Sequence, residues 1–225
     1  AFFRVGDTWG FLRLDGKIAI DPVYPGLNSL ENLAIQAYLP EGKSRIFTSN
    51  GQAVSAEAFD NVYAVLGERY FLVQKDGLNG IIDLNGRYTI PLQAEYLYCE
   101  GKACIVPKAG KQGLMRPDGT VLLPAEYDQI FGSEDAEGFF TVRRGNQFGF
   151  VSREGRWLGK PEFDYARSFD AGLAAARRNG KWGFIDTLGR VAIPFRYQYA
   201  ENFRNYTKGA VVLYENTYQL IDKQG

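Results

Sequence analysis

Apolar residues in this chain come in short runs, broken by polar turns that contain glycine, and the breaks recur at an even interval. Residues 173–193 show the pattern: LAAARR, then Asn179-Gly180, then KWGFID, then Thr187-Leu188-Gly189, then Arg190 to Ile193. Asn-Gly between two apolar runs predicts a two-residue type I′ hairpin, because both central residues of that turn need positive φ. Runs this short, bounded by turn residues, predict strands, and no window sustains a helical period, so helix content is expected to be low. The predicted unit is a three-stranded meander plus a connecting segment. Pro194 is expected to end the third strand by removing a ladder donor.

The same phrase returns along the whole chain. Turn glycines fall at Gly16, Gly51, Gly86, Gly119, Gly155, Gly189 and Gly225, separated by 35, 35, 33, 36, 34 and 36 residues. A second column, with identical spacing, reads Gly10, Arg45, Gly80, Gly113, Gly149, Gly183 and Gln219. Between the two lie FLRLD, IFTSN, IIDLN, LMRPD, FVSRE, FIDTL and LIDKQ. After most turns an apolar run leads to a proline and an aromatic: Pro22/Tyr24, Pro91/Tyr96, Pro124/Tyr127, Pro161/Phe163 and Pro194/Tyr197. A fixed period of this length indicates stacked units, each covering an apolar face its neighbour cannot bury alone. Residues 1–225 therefore read as one array of six units plus a partial seventh.

The stretch GKWGFIDTLGRVAIPFRYQYAENF resembles the WG (KWG) repeat family of mostly bacterial proteins. Units of that family run Gly-Lys-Trp-Gly-aromatic-Ile-Asp, a Gly turn, an apolar strand, Pro, then Tyr-Asp and a phrase like Phe-x-x-Gly-Leu-Ala. The last part is seen best here at Phe169, Gly172, Leu173 and Ala174. The likeness is strong in unit six, good in units one, three and five, and eroded in unit two (SRIFTSNG) and unit seven. It implies a β-repeat architecture and a role in binding or scaffolding, often in exported proteins. It carries no catalytic residues to transfer.

A meander of about 35 residues is short for a propeller blade, which usually has four strands. Unit one begins with its own first strand, FFRV, and unit seven has two strands, VVLY and YQLID. Six units with such an overhang do not close neatly. The expected fold is all-β, an open superhelix or solenoid of WG-type meanders, with a seven-bladed β-propeller as the alternative.

Charge and composition narrow the function. Twenty-six basic and 26 acidic residues leave no net charge, which argues against a nucleic-acid binder. Apolar residues make up 45% of the chain, enough for a packed core. No apolar stretch approaches the roughly 18 residues of a membrane helix. The chain shows no signal peptide and begins at Ala1, as a trimmed or processed chain would. Histidine is absent, which removes Ser-His-Asp and Cys-His systems and His-ligated zinc. No enzymatic activity, cofactor or metal is expected.

Several columns carry candidate chemistry. Trp9, Asn79, Gln112, Phe148, Trp182 and Tyr218 share one register, beside the glycines Gly10, Gly80, Gly113, Gly149 and Gly183. Two amides would break an aromatic ladder for sugars, so the column reads as inter-unit packing, with glycine admitting a neighbouring backbone. Basic residues cluster at hairpin tips: Lys75, Lys108, Lys111, Arg143, Arg144, Arg177, Arg178 and Lys181. Acids gather after the prolines, at Glu95, Glu126, Asp128, Glu162, Asp164 and Glu201, and in the loop with Glu134, Asp135 and Glu137. This predicts a dipolar array whose basic rim either holds an anionic partner or keeps strand edges from pairing. Cys99 and Cys104 flank four residues and are either bridged, implying an oxidising compartment, or two small buried thiols. Asp83, Asp186 and Asp222 are expected to cap the turns that follow them.

The leading expectation is a non-enzymatic binding or scaffolding module. Its extended surface would meet a protein or a polysaccharide or peptide polymer, outside the cytoplasm, in an envelope or secretion-related system. The alternatives are a glycan hydrolase using acids such as Glu134 and Glu137, and an immunity or inhibitor protein for a toxin.

Overall fold

The computed structural model describes every residue except 68, 94–95, 101–102, 132–136, 161 and 205–208. The candidate acids Glu95, Glu134 and Asp135, and Pro161, lie outside the described residues. The fold is all-β: no helix occurs among the described residues, and the strands form seven small antiparallel sheets, none closed on itself. The chain divides into two compact units, Ala1–Lys102 with Arg116–Thr120, and Ala103–Met115 with Val121–Gly225.

The first unit carries three sheets. The first is Phe2–Val5, Thr8–Leu12 and Ile18–Tyr24. The second is Gly26–Leu30, Ala34–Tyr38 and Ser44–Thr48, and the third Asn61–Leu66, Tyr70–Lys75, Leu78–Asp83 and Tyr88–Gln93. Between the first two sheets Ile20, Ile35, Ala37 and Phe47 are buried together. Between the second and third, Ala34, Ile46, Val54, Phe59, Phe71, Val73 and Ile82 form the core. Neighbours Ile46 and Phe47 thus serve opposite faces, as strand alternation requires.

In the second unit the fourth sheet is built on Ala103–Lys108, Lys111–Met115 and Val121–Tyr127. The fifth holds Gln129–Phe131, Phe139–Arg144 and Gln147–Ser152, and the sixth Tyr165–Ala166, Leu173–Arg178, Lys181–Asp186 and Val191–Tyr197. The seventh holds Tyr199–Ala200, Ala210–Tyr214 and Thr217–Ile221. One face of the sixth sheet packs on Phe148, Phe150, Phe163 and Phe169, and the other on Ala200, Phe203, Ala210 and Val212. Every position is apolar or small, so both faces are dry.

The meander differs from its expected form in two ways. The segment after the proline is not only a connection. It supplies a leading strand to the next sheet, as Tyr165–Ala166 does to the sixth, making that sheet four-stranded. The seventh sheet likewise gains Tyr199–Ala200 and has three strands, not two. The prolines do not end strands either. Pro194 lies inside Val191–Tyr197, at a shift in register: Phe184 pairs with Ile193 and Trp182 with Tyr197, so two steps on one strand face four on the other. The first and fourth sheets repeat the device, pairing Phe11 with Ile20 and Trp9 with Tyr24, and Leu114 with Leu123 and Gln112 with Tyr127. A proline without an N–H costs nothing where the bulge has already left the ladder.

The glycine of the Trp-Gly pair faces this bulge. A Cβ on Gly183 would lie 2.8 Å from the Ile193 carbonyl oxygen and 2.9 Å from Phe195 Cα. On Gly113 it would meet the Leu123 oxygen at 2.8 Å, and on Gly80 the Ile90 oxygen at 3.0 Å. The backbone admitted is therefore that of the same sheet's next strand. In the second sheet, with Arg45 at the position, the fourth strand is reduced to two isolated bridges, Phe47 to Ala53 and Ser44 to Phe59. In the fifth, with Gly149, it is reduced to the equivalent Val151 to Trp157 and Phe148 to Phe163. The residue in this column does not alone decide whether the strand is continuous.

The turn glycines join sheet to sheet. A Cβ on Gly51 or Gly86 would overlap the carbonyl oxygen of Ala19 or Val54, each in the preceding sheet. Gly119 would approach the Thr89 oxygen at 2.6 Å and Gly155 the Leu122 oxygen at 2.9 Å. Asp83, Asp186 and Asp222 cap these turns as expected: Asp186 Oδ1 accepts the N–H of Leu188 and of Arg190, each at 2.9 Å, and Asp83 and Asp222 do likewise. Cys99 and Cys104 are disulfide-bonded.

Candidate functional site

The basic hairpin tips lie where the leading strand, the hairpin and the Trp column meet. In the sixth sheet Tyr165, Arg177, Trp182 and Tyr197 form one cross-strand row, and in the fifth Gln129, Arg143 and Phe148 form its counterpart. Asn179 and Gly180 close the hairpin at φ 50° and 75°, as the Asn-Gly turn predicted. The turn is held from the leading strand, because Asp164 Oδ2 accepts the Gly180 N–H at 2.8 Å. Asp128 holds Gly145 and Asp60 holds Gly77 in the same way. In the seventh sheet Gln198 accepts from Asn216 at 2.9 Å. The Tyr-Asp of the repeat phrase is thus a tie between the leading strand and the next hairpin.

The eight basic tip residues divide by partner. Lys75 pairs with Glu57 at 3.1 Å, Arg144 with Glu126 at 3.6 Å, Lys111 with Asp128, and Arg178 with Glu162. Arg178 also lies over Phe163 and Phe195, its guanidinium carbon 5.1 and 4.7 Å from the ring centres. Lys108, Arg143, Arg177 and Lys181 make no ion pair among the described residues, and all but the half-buried Arg143 are exposed. Acids and bases are therefore interleaved, not sorted into opposite rims. The bonds shift the acids downward. Lys111 and the Gly145 N–H hold Asp128 below the ordinary range, the Gly77 N–H and Lys43 do so for Asp60, and the Tyr88 hydroxyl and Lys75 for Glu57. Burial, with Glu57 alongside, pushes the Tyr88 hydroxyl far up.

Beside these tips runs a row of rings that the sequence reading missed. Phe131, Phe148, Tyr165, Trp182 and Tyr199 follow one another with centroids 6.0, 5.0, 5.7 and 6.1 Å apart. They stand 17 residues apart in sequence, half a repeat, because leading-strand rings alternate with those of the Trp column. That half-period was the available signal. Phe148 and Trp182 are buried at 8% exposure, while Tyr165 is 43% exposed. Arg167 lies over Trp182 and Tyr199, 5.4 and 5.7 Å from the ring centres, with its Nε buried and unbonded. Trp9 holds the same register as Trp182, paired with Tyr24 as Trp182 is with Tyr197. It is half-buried, however, and the guanidinium near its ring, at 5.9 Å, is that of its own cross-strand partner Arg4. Where the column holds Gln112, its side-chain oxygen instead accepts the Ile130 N–H at 2.5 Å. The rings of the column pack unit on unit, and Gln112 joins it by this side-chain bond to the next leading strand's backbone.

Glu137 accepts the Gly172 N–H at 2.7 Å, and its other carboxylate oxygen is buried without a partner. Among the described residues no three Cys, Asp or Glu side chains gather as a metal site. No helix of the described residues is long and apolar enough to cross a membrane.

Residues 113–147, 148–182 and 182–205 each match the family model for the WG-containing repeat. Residues 113–205 are thus WG repeats. The matched WG repeats include the Phe148 and Trp182 rows and the free cations Arg143, Arg177 and Lys181. No curated protein matches the chain as a relative. Among solved structures, BamB from Moraxella catarrhalis is similar at 11% identity, covering 99% of this chain and 86% of that one, with TM-score 0.33. A eukaryotic initiation factor matches at 12% identity, over 99% and 70%, with TM-score 0.42. AztD from Citrobacter koseri matches at 15%, over 98% and 84%, with TM-score 0.35. Scores this low bear on neither the path of the array nor its function.

Proposed function

We propose that this WG-repeat protein is a non-enzymatic binding module that presents an extended surface to a protein or polymer partner outside the cytoplasm. The observation that carries it is the recurrence of one surface row in successive sheets. Arg143 beside Phe148 and Arg177 beside Trp182 stand at equivalent positions, with Lys181 at the same hairpin tip. Cations spaced by a rigid repeat suit an extended anionic ligand better than a compact substrate, since each repeat adds the same contact. The acids, by contrast, serve as turn ties and ion-pair partners: Asp60, Asp128 and Asp164 hold hairpins, and Glu57, Glu126 and Glu162 neutralise neighbouring cations. The Cys99–Cys104 disulfide supports an oxidising compartment.

The open superhelix belongs to the same reading. The first sheet already holds three strands and the seventh another three, so they are not halves of one shared four-stranded sheet.

Glycan and acidic-peptide arrays probed with the wild-type protein and with an Arg143→Ser, Arg177→Ser double variant test this function. The reading expects salt-sensitive binding to one class, weakened at least tenfold in the variant. Turnover of an arrayed glycan, or binding indifferent to both substitutions, would overturn it.

A further inference from the structure

The row of cations and rings on the fifth and sixth sheets has a fixed step, and the step limits which anionic ligand can follow it. The two sheets share one core, and Arg143 with Phe148 on the fifth returns as Arg177 with Trp182 on the sixth. Phe148 and Trp182 are linked through Tyr165, at 5.0 and 5.7 Å, so one step is about 10 Å, the usual distance between packed sheets. An extended strand repeats a side chain on one face about every 7 Å and falls out of step with the row. A polyproline II segment repeats every three residues, about 9 Å, and stays in step across the two sheets. Seven residues of α-helix rise by a similar length, about 10.5 Å, but a helix bonds its own carbonyls.

The polar groups left over separate these ligands. Trp182 is only 8% exposed, yet its indole N–H donates to no group among the described residues and is not sealed from solvent. A buried indole usually finds an acceptor, as Trp157 does in the Tyr127 hydroxyl. Arg143, Arg177 and Lys181 add further donors with no ion-pair partner among the described residues. The nearby carboxylates are already engaged. Asp128, whose charge Arg143 also feels, holds Lys111 and the Gly145 N–H, Asp164 holds the Gly180 N–H, and Glu162 holds Arg178. A row of unanswered donors suits a ligand that brings acceptors. Proline has a carbonyl and no N–H, whereas each sugar hydroxyl also brings a donor, and the carboxylates that would take it are bound.

We propose that the fifth and sixth sheets bind an acidic, proline-rich peptide segment in the polyproline II conformation. Acids three residues apart reach Arg143 and Arg177, and a proline between them packs on Tyr165, which is 43% exposed. A carbonyl of the ligand accepts the Trp182 indole N–H. This names the ligand class of the binding function proposed above and rests on it, because both use the same cations.

Fluorescence anisotropy of the 225-residue chain at low ionic strength tests the register with three probes. The first is a peptide of four Glu-Pro-Pro triplets, and the second has the same composition with its glutamates in two adjacent pairs. The third is oligogalacturonate. Wild type is expected to bind the triplet peptide at least tenfold more tightly than either of the others. Arg177 is exposed, so Arg177→Ser leaves the core intact and is expected to erase the preference for the triplet peptide. Trp182→Phe gives the sixth sheet the ring that the fifth holds at Phe148, and is expected to weaken the triplet peptide several-fold. Equal binding of the two peptides, tighter binding of oligogalacturonate, or a Trp182→Phe protein that binds as wild type does would overturn this inference and leave the binding function standing. Binding of none of the three probes would overturn both.

Discussion

The first and second sheets carry the same turn glycine in the same conformation, and of the two only Gly51 lies against the backbone of another described sheet. Gly16 and Gly51 have φ of 79° and 88°, and their N–H groups donate to Arg13 and Thr48 at 3.1 and 2.9 Å. Around a Cβ on Gly16 nothing lies within 4 Å, whereas one on Gly51 would overlap the Ala19 carbonyl. Left-handed backbone explains glycine at both positions. Seating against a neighbour explains only the second. A repeat column can therefore hold one residue type for two reasons, and the contrast of Gly16 with Gly51 in this chain separates them.

The comparison is sharpened first inside a sheet, where crowding is expected to cost most. Gly183→Val would push a branched side chain into the Ile193 carbonyl and is expected to lose about 3 kcal/mol, the upper part of the overpacking range. Arg45→Gly, where no continuous fourth strand crosses the position, should lose only the roughly 0.5–1 kcal/mol that glycine costs inside any strand. Urea denaturation of both variants measures the contrast. A Gly183→Val protein as stable as wild type would mean that the bulge does not need the glycine.

A smaller effect is expected at the ties between strand and hairpin. Asp164→Ala removes the acceptor of the Gly180 N–H, and about 1 kcal/mol should go with it. Loss of amide protection at Lys181 and Arg178, with the rest of the sixth sheet unchanged, would place the effect at the turn.

The smallest is a shared dependence on acid. Asp60, Asp128 and Glu57 are held below their ordinary values of 3.8 and 4.5 by N–H donors, lysines and the Tyr88 hydroxyl. A carboxylate whose folded pKa lies below its unfolded one stabilises the fold above the unfolded value. That contribution is lost as pH falls through the folded one. Melting temperature should thus be level from pH 8 to 5 and decline below about 4.5, since no histidine titrates between. A decline starting near pH 6 would point to groups other than these acids.

Much of this was legible in the sequence because it is local. Asn179-Gly180 announced its hairpin, the glycine spacing announced the repeat, and Asp186 announced its own turn cap. What the sequence hid depends on partners brought near by folding. Pro194 looked like a stop, because the bulge that tolerates it exists only once Trp182 and Tyr197 are paired. The connecting segments looked passive, because their strands pair with the next unit. Arg178 looked available to a ligand until Glu162, 16 residues back, and the Phe163 and Phe195 rings closed around it. The basic rim was visible as residue types, but which cations stay free was not.

Stacking of successive sheets through the turn-glycine column is tested most directly by comparing Gly16→Ala with Gly51→Ala in urea denaturation. Both add a Cβ to left-handed backbone, costing about 1 kcal/mol each. Gly51→Ala should lose roughly 2 kcal/mol more, from overlap with the Ala19 carbonyl. Equal losses at the two positions would contradict the account, because the preceding sheet would then be contributing nothing to the choice of glycine.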